Sequence, residues 1–238
     1  MAETTTMVFE EYLRSGEARN MGWLAGYPRS GAALVRTILA HCFGHRTGTI
    51  YKESHIGGGY GDALKTIPHM MTAFDLADMA DAQTLLLFKT HSLPRPIEML
   101  PTIIIVRDGR RTLESLLGFY RESWGIEQTM MPLIMGEHQW GSWSAWIRAW
   151  AAAAPAGALW LRYEDIMADV PGTVDRIAGW MGVKPLGHEI PPFESLHAGN
   201  PVIFRGCAVT GNGGMTDDEE AAFWQVHGSA MRMLGYYE

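Results

Sequence analysis

Three short stretches carry side chains whose types and spacing suit chemistry on an anion. In "LAGYPRSGAALVRTIL", residues 24–39, Gly26 and Gly31 are spaced as in the phosphate-cradling loop G-x-x-x-x-G-K-[ST]. A strand, a glycine-containing turn and a helix start bring unpaired backbone N–H groups and the positive helix end together, which favours a bound phosphate. The positions that would read Lys and then Ser or Thr are Ala32 and Ala33. Lys and Ser/Thr there would reach the β/γ phosphates and Mg²⁺, so this loop suits holding a phosphate without metal-assisted nucleotide hydrolysis. Arg29 lies inside the loop and supplies a charge in their place.

The second stretch, "FKTHSLP" (88–94), sets Lys89 and His91 just past an apolar run. The third, "IIIVRDGRRTLESLLGFYRE" (103–122), has Arg107 leaving another apolar run and Ser115 eight residues on. Neutral histidine, with an ordinary pKa of ~6.5, suits a general base near neutral pH. The cations at Arg29, Lys89 and Arg107 to Arg111 are candidates for a local cationic pocket, although the formal net charge is -7. That acidic balance argues against nucleic acid as a partner, because sequence-independent phosphate binding needs a broad basic surface. A small anionic ligand fits a local pocket instead.

The elements that must position these residues are legible as runs. "GWLAGY" (22–27), "TLLLF" (84–88), "TIIIV" (102–106) and "ALWLRY" (158–163) are short and unbroken, as in strands buried on both faces. Helical patterns fall between them, at roughly 32–43, 109–122, 141–154 and 169–182. The alternation predicts an α/β fold of three layers with a mostly parallel central sheet and a P-loop-like loop after its first strand. In such sheets ligands bind beyond the carboxyl ends of the strands, where all three stretches lie.

At 238 residues the chain reads as one domain over 1–238, with 1–20 as an N-terminal extension. The start lacks the order of a signal peptide, and "AWIRAWAAAAPAGALWL" is interrupted by Arg148 and Pro155, so no membrane span is expected. Cys42 and Cys207 are too few for a disulfide framework or a zinc site, and the protein is expected to be cytoplasmic. Two stretches, 52–71 and 184–214, read as long loops that contribute to substrate or cofactor binding. Within the first, Glu53 and His55 are rival acid/base candidates, acceptor-pocket residues or solvent-facing side chains. Glu164-Asp165 reads as a structural pair tying down a helix start or an arginine. Trp140, Trp143, Trp146 and Trp150 recur at helical spacing and read mostly as core.

Taken together, "GYPRSGAALVR", "FKTHSLP", "VRDGRRTLES", "LRYEDIMAD" and "FRG" resemble, in order and approximate spacing over residues 21–206, the sulfotransferases that use 3'-phosphoadenosine-5'-phosphosulfate. The resemblance implies that the loop Arg29, Ser30, Gly31, Ala32 and Ala33 wraps the donor's 5'-phosphosulfate, and that Arg107 and Ser115 bind its 3'-phosphate. It implies His91 as catalytic base and Lys89 at the transferring sulfuryl group or the bridging oxygen. Tyr163 and the segment Phe204, Arg205 and Gly206 match regions around the adenine and the 3'-phosphate. The implied acceptor is a small hydroxylated molecule and the implied chemistry needs no metal; between monomer and homodimer the sequence does not choose.

The sequence departs from that family at Ala32, Ala33 and Leu34, where hydroxyl residues and then Trp are usual. Each lost hydroxyl bond to a charged phosphate is worth ~1.5–3 kcal/mol, or roughly tenfold or more in affinity. Two alternatives follow: a non-catalytic nucleotide-binding protein on the same fold, and a P-loop phosphotransferase, which the missing Lys and Ser/Thr disfavour.

Overall fold

A computed structural model describes residues 20–45, 47–49, 85–94, 100–205 and 211–237. Glu53, His55, the expected loop 52–71, Gly206, Cys207 and most of the N-terminal extension lie outside the described residues. The elements, in chain order, are β1 (Met21–Gly26), α1 (Ala32–Phe43), β2 (Thr47–Thr49), β3 (Leu86–Thr90), β4 (Thr102–Val106), α2 (Gly109–Trp124) and α3 (Met130–Met135). They continue with α4 (Trp143–Ala153), β5 (Leu159–Arg162), α5 (Tyr163–Ala168), α6 (Val170–Met181), α7 (Phe193–Gly199) and α8 (Asp217–Met233).

The five strands form one parallel sheet in the order β2-β3-β1-β4-β5. β1 and β4 are buried along their whole length, as their unbroken apolar runs require. Alternate residues of each strand face opposite layers. Trp23, Ala25, Phe88 and Ile104 pack with Leu113, Leu116, Leu133, Trp143, Trp146 and Phe223, from α2, α3, α4 and α8. Leu24, Leu87, Ile103 and Ile105 pack with Val35, Ile38, Ile166, Val174 and Ile177, from α1, α5 and α6. Helices on both faces of a parallel sheet make the three-layer α/β architecture.

The four expected strands and four expected helices are all present. β3 runs two residues later than its apolar run, so Lys89 and Thr90 belong to the strand and His91 follows it directly. The expected loop 184–214 is corrected in part: it contains α7, whose Leu196 is buried in a small cluster with Ala40 and Phe204 against Ala33, Phe193 and Ile203. This helix of seven residues is held by tertiary packing, which its Pro- and Gly-rich composition conceals.

Candidate functional site

The site lies at the carboxyl ends of the three central strands. β1 is flanked by β3 and β4, so the phosphate-type loop, His91 and Arg107 emerge side by side. Register fixes the detail: Ala25 pairs with Thr90, and Gly26 pairs with Ile105.

The loop begins with a tight turn. Ser30 N–H donates to the Tyr27 carbonyl at 3.1 Å, with Pro28 at the second turn position and Arg29 at φ 72° in the third. That is the type II pattern, which favours glycine at its third position. Arg29 holds the conformation through its side chain: Nε donates to Ser115 Oγ at 3.0 Å, and Nη2 donates to the carbonyls of Val202 and Ile203 at 2.9 and 3.1 Å. The guanidinium also lies over the Phe119 ring, 5.0 Å from its centroid. One residue of the loop thus ties together β1, α2 and the segment after α7.

Gly31 caps α1 without any side-chain hydrogen bond to the first turn, and that turn carries no acidic residue. Leu34 N–H already donates to the Gly31 carbonyl at 3.0 Å, so it is the N–H groups of Ala32 and Ala33 that open this twelve-residue helix toward an anion. Gly31 has φ 108°, and a Cβ there would sit 2.6 Å from Tyr163 Cδ2. Gly31→Ala is expected to cost about 1–3 kcal/mol. A thermal melt checks this as a fall of roughly 2–12 °C, and an unchanged midpoint would show that the loop relaxes freely.

Arg107 is 4% exposed and stacks over the Tyr163 ring at 4.4 Å. Its Nη1 donates to the Arg29 carbonyl at 3.3 Å, while its Nε and Nη2 are buried with no hydrogen-bond partner. Ser30 Oγ is buried and unpartnered in the same way. Asp108 starts α2, its carboxylate accepting from the Arg110 N–H at 2.8 Å. Glu164 supports that helix start by accepting from the Asp108 N–H at 3.0 Å and from the Tyr236 hydroxyl at 2.6 Å. Arg205 makes a 2.5 Å ion pair with Glu122.

His91 Nδ1 lies 2.6 Å from the Gly26 carbonyl. A carbonyl only accepts, so Nδ1 carries the proton and Nε2 presents its lone pair. Burial of the ring, then the charge of Lys89, lower its pKa to about 3 against the pull of the Gly26 hydrogen bond, with Arg29 and Arg36 adding to the depression. The ring meets Trp140 edge-on at 5.5 Å. Trp146 and Trp150 lie in the core, and their indole N–H groups donate to the carbonyls of His91 and Ser92 at 2.9 and 3.2 Å.

Sequence reasoning places 123–140 in the lining of an acceptor pocket but singles out neither Tyr27 nor His138. Tyr27 is fully buried and donates its hydroxyl to the Gly141 carbonyl at 2.6 Å, so its oxygen accepts from His138 Nε2 at 3.1 Å. His138 Nδ1 then accepts from the Tyr120 hydroxyl at 3.3 Å. His138 and Tyr120, with Trp124, Ile126, Gln128 and Gln139, line an open cleft of about 340 Å³. The chain of hydroxyls and ring nitrogens connects that cleft to the phosphate-type loop, and only a three-dimensional arrangement brings its residues together.

No group of three or more His, Cys, Asp or Glu among the described residues is placed to hold a metal ion. Among the same residues, no helix is long and apolar enough to cross a membrane.

Residues 20–191 match the sulfotransferase domain family, and the chain belongs to that family. A human protein, sulfotransferase 2B1, is 36% identical over 64 residues, a match spanning 26% of this chain and 17% of that protein. Among solved structures, mouse sulfotransferase SULT7A1 complexed with PAP superposes with a TM-score of 0.62 at 18% identity, covering 94% of this chain and 88% of that one. At that identity the likeness concerns the fold.

Proposed function

We propose that this sulfotransferase-family protein transfers the sulfuryl group of 3'-phosphoadenosine-5'-phosphosulfate to a hydroxyl of a small-molecule acceptor, with no metal. The observation that carries the reading is Arg107, a buried guanidinium with two N–H-bearing nitrogens unpartnered beside the equally unpartnered Ser30 hydroxyl. An unpaired buried cation is costly, and an anion bound against it offsets that cost. The uncapped start of α1 supports a second anionic group of the same ligand. PAP, held by the solved mouse sulfotransferase, is the bisphosphate product of this donor.

In this reading His91 Nε2 takes the acceptor's proton as its oxygen attacks sulfur. The bond from sulfur to the bridging oxygen breaks, and adenosine 3',5'-bisphosphate leaves. Lys89 offsets the charge developing on that oxygen. The cleft at Tyr120, Trp124 and His138 suits a small acceptor. Cytoplasmic residence and a monomer or homodimer belong to the same proposal.

A second reading, a nucleotide-binding protein without turnover, draws on Ala32 and Ala33, which remove two hydroxyls from the loop. Calorimetric titration with adenosine 3',5'-bisphosphate, and in parallel with ATP and magnesium, tests both. Preferential binding of the bisphosphate, followed by sulfation of hydroxylated acceptors from the sulfated donor, is expected. Bisphosphate binding without turnover across an acceptor panel would favour the second reading, and preference for ATP with magnesium would overturn both.

A further inference from the structure

One face of α2 carries Arg111, Ser115, Gly118 and Glu122, spaced i, i+4, i+7 and i+11. Each meets the chain that follows α7 or the loop arginine pinned to it. Ser115 accepts from Arg29, whose guanidinium reaches the Val202 and Ile203 carbonyls. A Cβ at Gly118 would strike the Arg205 guanidinium, and Glu122 pairs with Arg205 at 2.5 Å. At the other end of the stripe, a Cβ on Gly211, at φ 101°, would strike the Arg111 guanidinium.

The cations around Ser115 are unequally committed. Arg29 spends Nε and Nη2 on Ser115 and two carbonyls, whereas Arg205 with Glu122 and Arg111 with Glu114 each pair with one part-exposed carboxylate, Arg111 being the more buried of the two. Arg111 is 9% exposed; its Nη1 donates to Glu114 at 2.8 Å, and its Nε is buried without a partner. It stands one helical turn before Ser115 on the same face, and Arg107, with its own two unpartnered nitrogens, stands one further turn's worth of residues earlier in sequence. A single ion pair with a part-exposed carboxylate does not account for a guanidinium buried at this place.

We infer that Arg111 is a further ligand-binding residue: with Arg107 and Ser115 it forms the subsite that recognises the 3'-phosphate of the donor. The inference rests on the proposed donor. It makes discrimination between a 3',5'-bisphosphate and a 5'-monophosphate depend on a side chain that a purely structural Arg111–Glu114 pair would not involve.

The test compares adenosine 3',5'-bisphosphate with adenosine 5'-monophosphate by calorimetry on the full chain. Arg111→Gln is expected to raise the Kd for the bisphosphate about tenfold or more, the worth of one charge-assisted bond, and to leave the monophosphate within about twofold. Arg111→Lys, which keeps the charge without Nε, is expected to recover part of the loss. Glu114→Gln, which releases Nη1 and leaves the fold's core untouched, is expected to tighten the bisphosphate selectively and keeps the inference testable if Arg111→Gln does not fold. An unchanged ratio of the two affinities in Arg111→Gln, or an equal loss of both ligands, would overturn it with the donor reading intact. Wild-type protein that fails to prefer the bisphosphate would overturn the donor reading and this inference together.

Discussion

His91→Ala is expected to lower kcat by about 10²- to 10⁴-fold, the usual contribution of a positioned general base, while the Kd for adenosine 3',5'-bisphosphate changes less than about threefold. The separation follows from geometry: the imidazole is fixed through Nδ1 to the Gly26 carbonyl, whereas the candidate phosphate contacts come from Ser30, the start of α1, Arg107 and Ser115. Single-turnover sulfation with enzyme in excess, beside a calorimetric titration, reads the two effects separately. A variant retaining more than a tenth of the rate would remove His91 from the role. The pH dependence adds a sign. Burial and Lys89 hold the His91 pKa at about 3, so the base is already neutral at pH 6.5 and below, and kcat/KM for the donor is expected to show no acid limb there. The donor's negative charges favour imidazolium, so the limb in kcat is expected at higher pH than the limb in kcat/KM. Stability moves with the same group. Below pH ~6.5 the unfolded chain takes up a proton that folded His91 refuses, and the folded state loses stability as pH falls from there toward about 3.

The parts of this arrangement that the sequence discloses are those set by local pattern. β1 and β4 are unbroken apolar runs because both faces of each strand are covered, and a buried parallel strand leaves that signature within its own few residues. α8 escaped the helical pattern although Thr216 and Glu219 form a capping box and four acids fill its first turn; the pair of positions three apart was a readable signal. α7 offered no comparable sign, since Leu196 and Phe204 stabilise it only once Ala40 of α1 is beside them. At the site, the loop glycines, His91 and Arg107 announce themselves by type and by position after strands. The contact of Arg29 with Ser115, the stacking of Arg107 on Tyr163 and the path from Tyr27 through His138 to Tyr120 join residues 18 to 111 positions apart. No periodicity encodes such pairs. They follow from strand order, which brings β1, β3 and β4 together and carries α2 and α4 with them.

Arg107→Met is expected to weaken adenosine 3',5'-bisphosphate binding about 100-fold and to leave the ligand-free protein as stable as the wild type or more so. The two halves have one cause. In the ligand-free fold the guanidinium is buried with Nε and Nη2 unpartnered, and the compensations are a 3.3 Å bond to the Arg29 carbonyl and the stacking on Tyr163. Stacking of this kind contributes roughly 0.5–2 kcal/mol, which is less than the cost of withdrawing a charge from water. Methionine has a similar length, fills the space against Tyr163 and carries no charge to desolvate. With a phosphate present the balance reverses, because two charge-assisted bonds of about 1.5 kcal/mol or more each are lost, near 3 kcal/mol or about 100-fold. Thermal melts make the reversal visible. At a bisphosphate concentration 100 times the wild-type Kd, the wild-type fold gains about 2.7 kcal/mol, whereas a variant with 100-fold weaker binding gains only about 0.4 kcal/mol. The wild-type midpoint should rise by roughly 5–11 °C and the variant's by about 2 °C or less, from a ligand-free midpoint that has not fallen. A variant that melts several degrees early and still shows the full ligand shift would make Arg107 a structural residue packed on Tyr163, and the anion contacts would then come from Ser30, the start of α1, Ser115 and Arg111.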